Sequence, residues 1–596
     1  MSPGLLDIPI ELREKILIYL SAEELTSALC LNGSLYRTIK NSTDIQYSIA
    51  LQKYGMVDGD TSWPITDRLV ELLRMEEAWR TLDLSRRVSV KVPQRLNLSG
   101  IPRIHDLSDG VYTICECTLP AETHSAESFR YFNLSRCATG PRVVHEDAWC
   151  EMSIPPRTVD FGSALQEHDL IANISLREIE NGGADEIVLH LRQFSTGLSH
   201  PLANRPEVVV GCANRLWNKC TILMEIVGPC LMLLLSWPLS TQQNNIEVLL
   251  LVNWWTGEIV IREEWPTRTY GGIIFLTHDL IMLPNLSAKT FEVLQLPDLT
   301  KAANTSFGAF KRIANLHLPQ MHEYCGIFSV TCRADPNPLG APHPNSHANL
   351  GWQKFRERPF FTDASRALVL AQFELHNNEF PVAARGHWVV NWDRLNLVVP
   401  RHVLVEAVRT HVRLHGQGRS STTTDDECLE EDPIVDIPWT QWGPGNARWY
   451  KSSTRTVRRT ATISGQRIIE LDTHKYYMVK DFSPYAVQRM RAALKPVQCR
   501  EEVEGELWLN DFTRARLIES HYRSDSDWSY LKKIFSDEVE ANELPFVKTV
   551  SIMALEGGAR MDEERIVGVK RDRNTGTVDE FEVFSIVHGS RNSYIV

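Results

Sequence analysis

Apolar positions along this chain change their spacing once, near residue 88. Before it they recur every three or four residues, and after it short apolar runs alternate with turn clusters. In the first part Leu12, Ile16, Tyr19 and Leu20 share one helical face. Pro9 suits the first position of that helix, where a missing N–H costs nothing, and Glu11 falls in its first turn, where a carboxylate favours the helix dipole. Ser21-Ala22-Glu23-Glu24 has the form of a capping box, opening a second helix with Leu25, Ala28 and Leu29 on its apolar side. Asn32-Gly33 breaks it. Leu35, Tyr36 and Ile39 belong to a third helical piece, and Ile45, Ile49 and Leu51 to a fourth. Residues 57–66 (VDGDTSWPIT) read as a turn-rich linker. Thr66 is placed to cap an amphipathic helix over 67–82, with Leu69, Leu72, Leu73 and Trp79 on its buried side.

From residue 88 the runs VYTICECTL (111–119), IVLHLRQF (187–194), VLLLVNWWTGEIVI (248–261), GIIFLTHDLIML (272–283), HWVVNWDRLNLVV (387–399) and FEVFSIV (581–587) predict many short strands. About 500 residues of this texture exceed one sandwich, whereas a β-propeller absorbs length by adding four-stranded blades of roughly 40 residues each. No strict repeat period is visible. The clearest blade signature is Asn253-Trp254-Trp255-Thr256-Gly257, closing one strand and opening the next, and Asn391-Trp392-Asp393 is a looser echo of it. The apolar stretch 226–239 is interrupted by Gly228-Pro229 and ends at Pro238, too short for a membrane helix of about 20 residues, and reads as a buried strand. Residues 333–358, rich in Pro, Asn and Gly, and the acidic, apolar-poor 416–433 read as insertions.

A net charge of -12 argues against nucleic-acid binding. The start MSPGLLDIPIELREK lacks the basic-then-apolar order of a secretory leader, so the 12 cysteines are expected to be reduced thiols in the cytoplasm or nucleus, with no membrane partner. Cys115 and Cys117, two apart, are expected on one face of a strand, with no metal or other cofactor. His145-Glu146 and His322-Glu323 lack the second histidine of a zinc helix, and no nucleophile elbow, phosphate loop or catalytic residue stands out. Trp439, Trp442 and Trp449 either stack on a sugar or pad a blade interface, and burial is the favoured reading. Arg448, Lys451, Arg455, Arg458 and Arg459 form a basic run that either holds an acidic ligand or protects a strand edge.

Residues 5–54 resemble an F-box. Ile8-Pro9-Ile10-Glu11 matches the family's Leu-Pro-x-Glu opening, with Ile8 in place of Leu. Ile16 and Leu20 fill the first helix, Leu25 and Leu29 the second, and Tyr36 stands where Trp is most frequent. The resemblance implies a Skp-type adaptor, and through it a cullin, as partner. The adaptor would be gripped through Leu6, Ile8, Pro9, Glu11, Leu12, Ile16, Leu20 and Leu25. The size of the segment agrees: helices totalling about 45 residues bury little core alone and keep apolar side chains for another surface. The longer layout is similar to F-box proteins of mushroom-forming (basidiomycete) fungi. The points of likeness are the helix ELLRMEEAWRTLD, the turn at 254–257, the segment SGQRII (464–469) and Asp481-Phe482-Ser483-Pro484-Tyr485.

The expected architecture is a small all-α N-terminal F-box (1–56), a linker and amphipathic helix (57–87), and a large all-β domain (88–596), a degenerate WD-like β-propeller. The expected function is that of a non-catalytic substrate receptor in a Skp–cullin–F-box ubiquitin ligase. It would present a protein substrate on the β domain and gain rate from proximity. The rivals are a glycosidase-like propeller enzyme with a helical cap, which needs paired carboxylates about 5–10 Å apart in the channel, and an F-box scaffold serving no ligase.

Overall fold

The computed structural model describes residues 5–59, 61–83, 86–93, 105–116, 128–179, 184–214, 220–237, 246–300, 308–343, 358–384, 387–417, 433–452, 462–472, 474–494, 506–510, 513–519, 530–536, 539, 544–554, 558–571 and 578–585. Five helices come first: α1 (Ile10–Leu17), α2 (Ala22–Leu31), α3 (Gly33–Asn41), α4 (Thr43–Tyr54) and α5 (Ile65–Thr81). The Ser21 capping box forms as the spacing predicts: Glu24 N–H donates to Ser21 Oγ, and Ser21 N–H to the Glu24 carboxylate, which holds that carboxyl below its usual range. Asn32 ends α2 and caps α3, its Oδ1 accepting from Ser34 N–H. Two starts differ from the sequence reading. Pro9 and Pro64 are N-caps, one residue outside α1 and α5, and Thr66 lies inside α5. At φ of -52° and -57° each proline is extended, which leaves its missing N–H outside the helical ladder.

The remainder is a seven-bladed β-propeller. Among the described residues seven sheets of four or more strands follow one another in chain order, each around a core of antiparallel neighbours, two of them with an added parallel strand at the edge. Blades 1 to 7 open with the strands His105–Ser108, Thr158–Ala164, Thr221–Val227, Ile274–Phe275, Cys325–Arg333, Ile463–Ser464 and Ala559–Met561. Seven apolar clusters each join two consecutive blades, which closes the ring. They include Phe129 with Leu165, Leu189 with Leu233, Met232 with Phe275, Phe291 with Phe373, Leu370 with Ile468, Ile469 with Met561, and Val567 with Tyr112. The last blade is completed by Arg86–Lys91, which pairs antiparallel with Val578–Ser585 from Arg86 opposite Ser585 to Lys91 opposite Glu580. The start and the end of the β region therefore share one sheet.

A blade packed on both sides explains the continuous apolar runs. In Cys230–Ser236 the residues Leu231, Leu233 and Leu235 face blade 2, and Cys230, Met232 and Leu234 face blade 4. The stretch 226–239 is accordingly a hairpin rather than a single strand: Gly228, at φ +53°, and Pro229 turn Thr221–Val227 into Cys230–Ser236. The turn after Asn253 stands where the sequence puts it. Asn253 Oδ1 accepts from Trp255 and Thr256 N–H groups, and Gly257 supplies φ +74°. The echo at residues 391–393 is not a turn, because Asn391 lies within the strand His387–Pro400, paired with Asn377. The strands extend through that position and leave no place for a hairpin.

Candidate functional site

Helices α1 to α4 enclose a small core of Leu17, Leu25, Ala28, Leu35, Ile39 and Ile45. Arg13 fixes the incoming chain against α3. Its guanidinium is buried and donates to Ser34 Oγ (3.1 Å) and to the carbonyls of Leu6 (2.8 Å) and Ile8 (3.2 Å). This arrangement turns residues 5–8 along the outside of the module and leaves an apolar face in water. Leu6, Leu12 and Ile16 are 44%, 51% and 47% exposed. Pro9 and Glu11 are exposed beside them, and Ile8 and Leu20 are half-buried. Leu25 is a correction to the expected contact set: it is wholly buried in the module's own core, where no partner reaches it. An apolar position at helical spacing does not by itself say whether it faces its own core or an outside surface.

Exposed apolar residues continue the face beyond that set, with Leu5, Ile10, Tyr19, Leu31 and Tyr36. Tyr19 was read onto the stripe of the first helix, but α1 ends at Leu17 and Tyr19 lies in the turn beyond it. Leu31, at the last position of α2, gave no signal in the sequence. These side chains lie on residues 5–19, at the end of α2 and in α3.

The opposite side of the module is anchored to blades 6 and 7. Tyr47, Leu72, Met75, Trp79 and Leu82 pack with Ile469, Tyr477, Met561 and Ile566. Trp79 Nε1 donates to the Glu563 carbonyl at 2.9 Å. Arg467 pairs with Glu76 and, at 3.1 Å, with Asp481, and its guanidinium lies 5.3 Å from the Trp79 ring. Burial pushes the Glu76 carboxyl up and Arg467 draws it back down. The linker read over 57–66 is tied as well: Met56–Asp58 pairs with Phe360–Thr362, and Tyr47 Oη donates to Asp58 and to the Pro359 carbonyl. Thus the module is docked through α4 and α5 while residues 5–16 stay open, and Leu73, read onto the buried side of α5, is exposed instead.

The other candidates resolve into structural roles. Trp439, Trp442 and Trp449 are buried between blades 4 and 5, with the Trp439 ring centroid 4.7 Å from that of Trp442 and 6.2 Å from that of Trp449, as the burial reading has it. Arg448 is 1% exposed and donates to the carbonyls of Glu519 and Leu544, so it belongs to the interior and leaves the basic run. Lys451 lies 4.2 Å from the Tyr530 ring. Arg455, Arg458 and Arg459 lie outside the described residues, as do Cys117 and most of 416–433. No group of three or more metal-ligating side chains occurs among the described residues, and no described helix is long and apolar enough to cross a membrane.

Fold and surface together define a β-propeller carrying a helical module with exposed apolar side chains along residues 5–16. No family model matches the chain, and no curated protein matches it. Solved structures that align with it do so at low overall superposition. Kluyveromyces lactis Hsv2p is 9% identical, with 63% of this chain and 90% of that one covered and a TM-score of 0.25. The β-propeller domain of the Trilobed protease from Pyrococcus furiosus is 10% identical, with 64% and 90% covered and a TM-score of 0.22. A Lactobacillus plantarum protein is 10% identical, with 50% and 77% covered and a TM-score of 0.23. The blade count rests on the strand order above.

Proposed function

We propose that this chain is a substrate receptor of a Skp–cullin–F-box ubiquitin ligase, docking to a Skp-type adaptor through its N-terminal module and holding a protein substrate on the propeller. The observation that carries the reading is the unburied band of Leu6, Pro9, Leu12 and Ile16 on a module otherwise anchored to blades 6 and 7. It coincides with the Ile8-Pro9-Ile10-Glu11 segment that resembles the F-box opening. Leu12 and Ile16 stand one helical turn apart, the spacing at which apolar anchors enter a partner groove. Arg13 holds the band in place from behind, so the partner meets a surface already formed, which lowers the ordering cost of binding.

The glycosidase-like reading is the weaker one. Its carboxylates would have to face an open channel, and the candidates on the innermost strands are engaged: Asp106 by Arg333 at 3.3 Å, and Glu225 by the Asn337 amide at 2.8 Å. The test is a pull-down of the full chain on purified Skp-type adaptor. The wild type is expected to be retained. A Leu12→Asp, Ile16→Asp double variant with an unchanged circular-dichroism spectrum is expected to be lost. Equal recovery of the two would remove the docking claim. A scaffold serving no ligase would bind the adaptor yet leave the ubiquitin turnover of its bound proteins unchanged.

A further inference from the structure

In an antiparallel blade the turns between first and second strands all emerge on one face of the ring. Here that face is the one against which the helical module packs, because Trp79 bonds to Glu563 in the first turn of blade 7. The first turn of blade 5 is an insertion, and its first described stretch, residues 334–343, runs across the turns of the other blades together with Arg333 at the end of the strand before it. Arg333 pairs with Asp106 of blade 1. The Asp335 carbonyl accepts from Gly465 N–H of blade 6 at 2.7 Å. The Pro336 carbonyl accepts from Arg401 Nη1 at 2.8 Å. Asn337 Nδ2 donates to Glu225 Oε2 of blade 3 at 2.8 Å. Gly340 N–H donates at 2.7 Å to Glu167 Oε1 of blade 2, the same oxygen that accepts from Gly228 N–H of blade 3. The His343 ring lies 4.5 Å from that of Trp255.

The receiving surface holds an irregular segment that bends at residues 335 and 336. Three of these bonds use main-chain atoms of the insertion, so the backbone is what is recognised. Gly340 and Gly228 approach so closely that a Cβ on Gly340 would stand 2.4 Å from Gly228 Cα, which reserves that position for glycine. Arg401 is wholly buried. Its Nη1 serves the Pro336 and Ala364 carbonyls, and its Nε and Nη2 have no partner among the described residues. A guanidinium placed so deep is retained only where carbonyl oxygens are brought to it.

We propose that the module-side mouth of the propeller channel is a binding site for a peptide without regular secondary structure that contains proline, asparagine and glycine, filled in cis by residues 334–343 of this chain. The site recognises main-chain carbonyls through Gly465 and Arg401, a side-chain amide through Glu225, and a glycine N–H through Glu167. The tethered segment acts as its own competitor, so another peptide of this chemistry gains the mouth only when the segment leaves. The proposal is independent of adaptor docking, which uses the far side of the module.

The experiment measures fluorescence anisotropy of the labelled decapeptide ADPNPLGAPH, residues 334–343, against three full-length proteins: wild type, a chain whose residues 334–343 are replaced by a Gly-Ser linker of equal length, and a Gly340→Val, Asn337→Ala chain. A tethered occupant presents an effective concentration on the order of millimolar, so wild type is expected to bind at least about tenfold more weakly than the linker chain. Adding Glu225→Ala and Glu167→Ala to the linker chain is expected to abolish uptake. Should the linker chain fail to fold, the double variant keeps the scaffold and is expected to admit the peptide. Folded variants that take up the peptide no better than wild type would overturn the proposal.

Discussion

At the scale of single residues the decisive groups are buried and charged, and their partners lie far away in the chain. Glu76 and Arg467 are separated by 391 positions and meet where the module joins blade 6. Removing Glu76 leaves the buried Arg467 paired with Asp481 alone, so Glu76→Ala is expected to lower stability by about 1–3 kcal/mol, read from urea denaturation. Glu247 is a second case. It is buried at the junction of blades 3 and 4 and accepts from the N–H groups of Arg268 and Tyr270, yet burial wins and its carboxyl is pushed up to about 7. The folded protein then holds this proton more tightly than the unfolded chain does. Its contribution to stability is complete below the unfolded carboxylate range and is lost as pH rises toward about 7. Glu247→Gln cannot lose a proton, so the stability difference between variant and wild type should shift in the variant's favour from pH 5 to pH 7 and stay flat above. A difference that does not change with pH would refute the assignment. None of this was legible in the sequence: Arg448 looked like part of a surface run and is interior, because side-chain charge carries no information about depth.

At the scale of elements local signals served well where the determining contacts are local. The capping box at Ser21, the break at Asn32 and the turn after Asn253 each depend on neighbours within a few residues, and each forms as the sequence implies. The apolar face of α1 and α2 was legible as a stripe, but its division between the module's own core and open water was not. Leu25 and Leu12 look alike in periodicity, and only packing separates them. That division has an energetic consequence. Leu25→Ala is expected to cost the module about 2–5 kcal/mol through the cavity it leaves, whereas Leu12→Ala should change stability by less than about 0.5 kcal/mol. Native-state hydrogen exchange of the α2 amides measures both. Similar losses from the two substitutions would mean that Leu12 is as much a core residue as Leu25.

At the scale of the whole molecule the sequence implied a propeller and withheld its blade number. The blades share no spacing, blade 5 carries the insertion that crosses the channel mouth, and the pairing of Arg87 with Glu582 spans 495 positions. Closure by Arg86–Lys91 makes the ring a cooperative object, since Val88 and Val90 are buried there between the first and last blades. The helical module is part of the same object on one side and open on the other, and the functional account depends on that asymmetry. The most direct measurement is the hydrogen-exchange footprint of the full chain with and without purified Skp-type adaptor. Protection confined to residues 5–20, with exchange in α4, α5 and the blades unchanged, is the result this account expects. An unaltered N-terminal segment, or protection appearing on the blades instead, would contradict it.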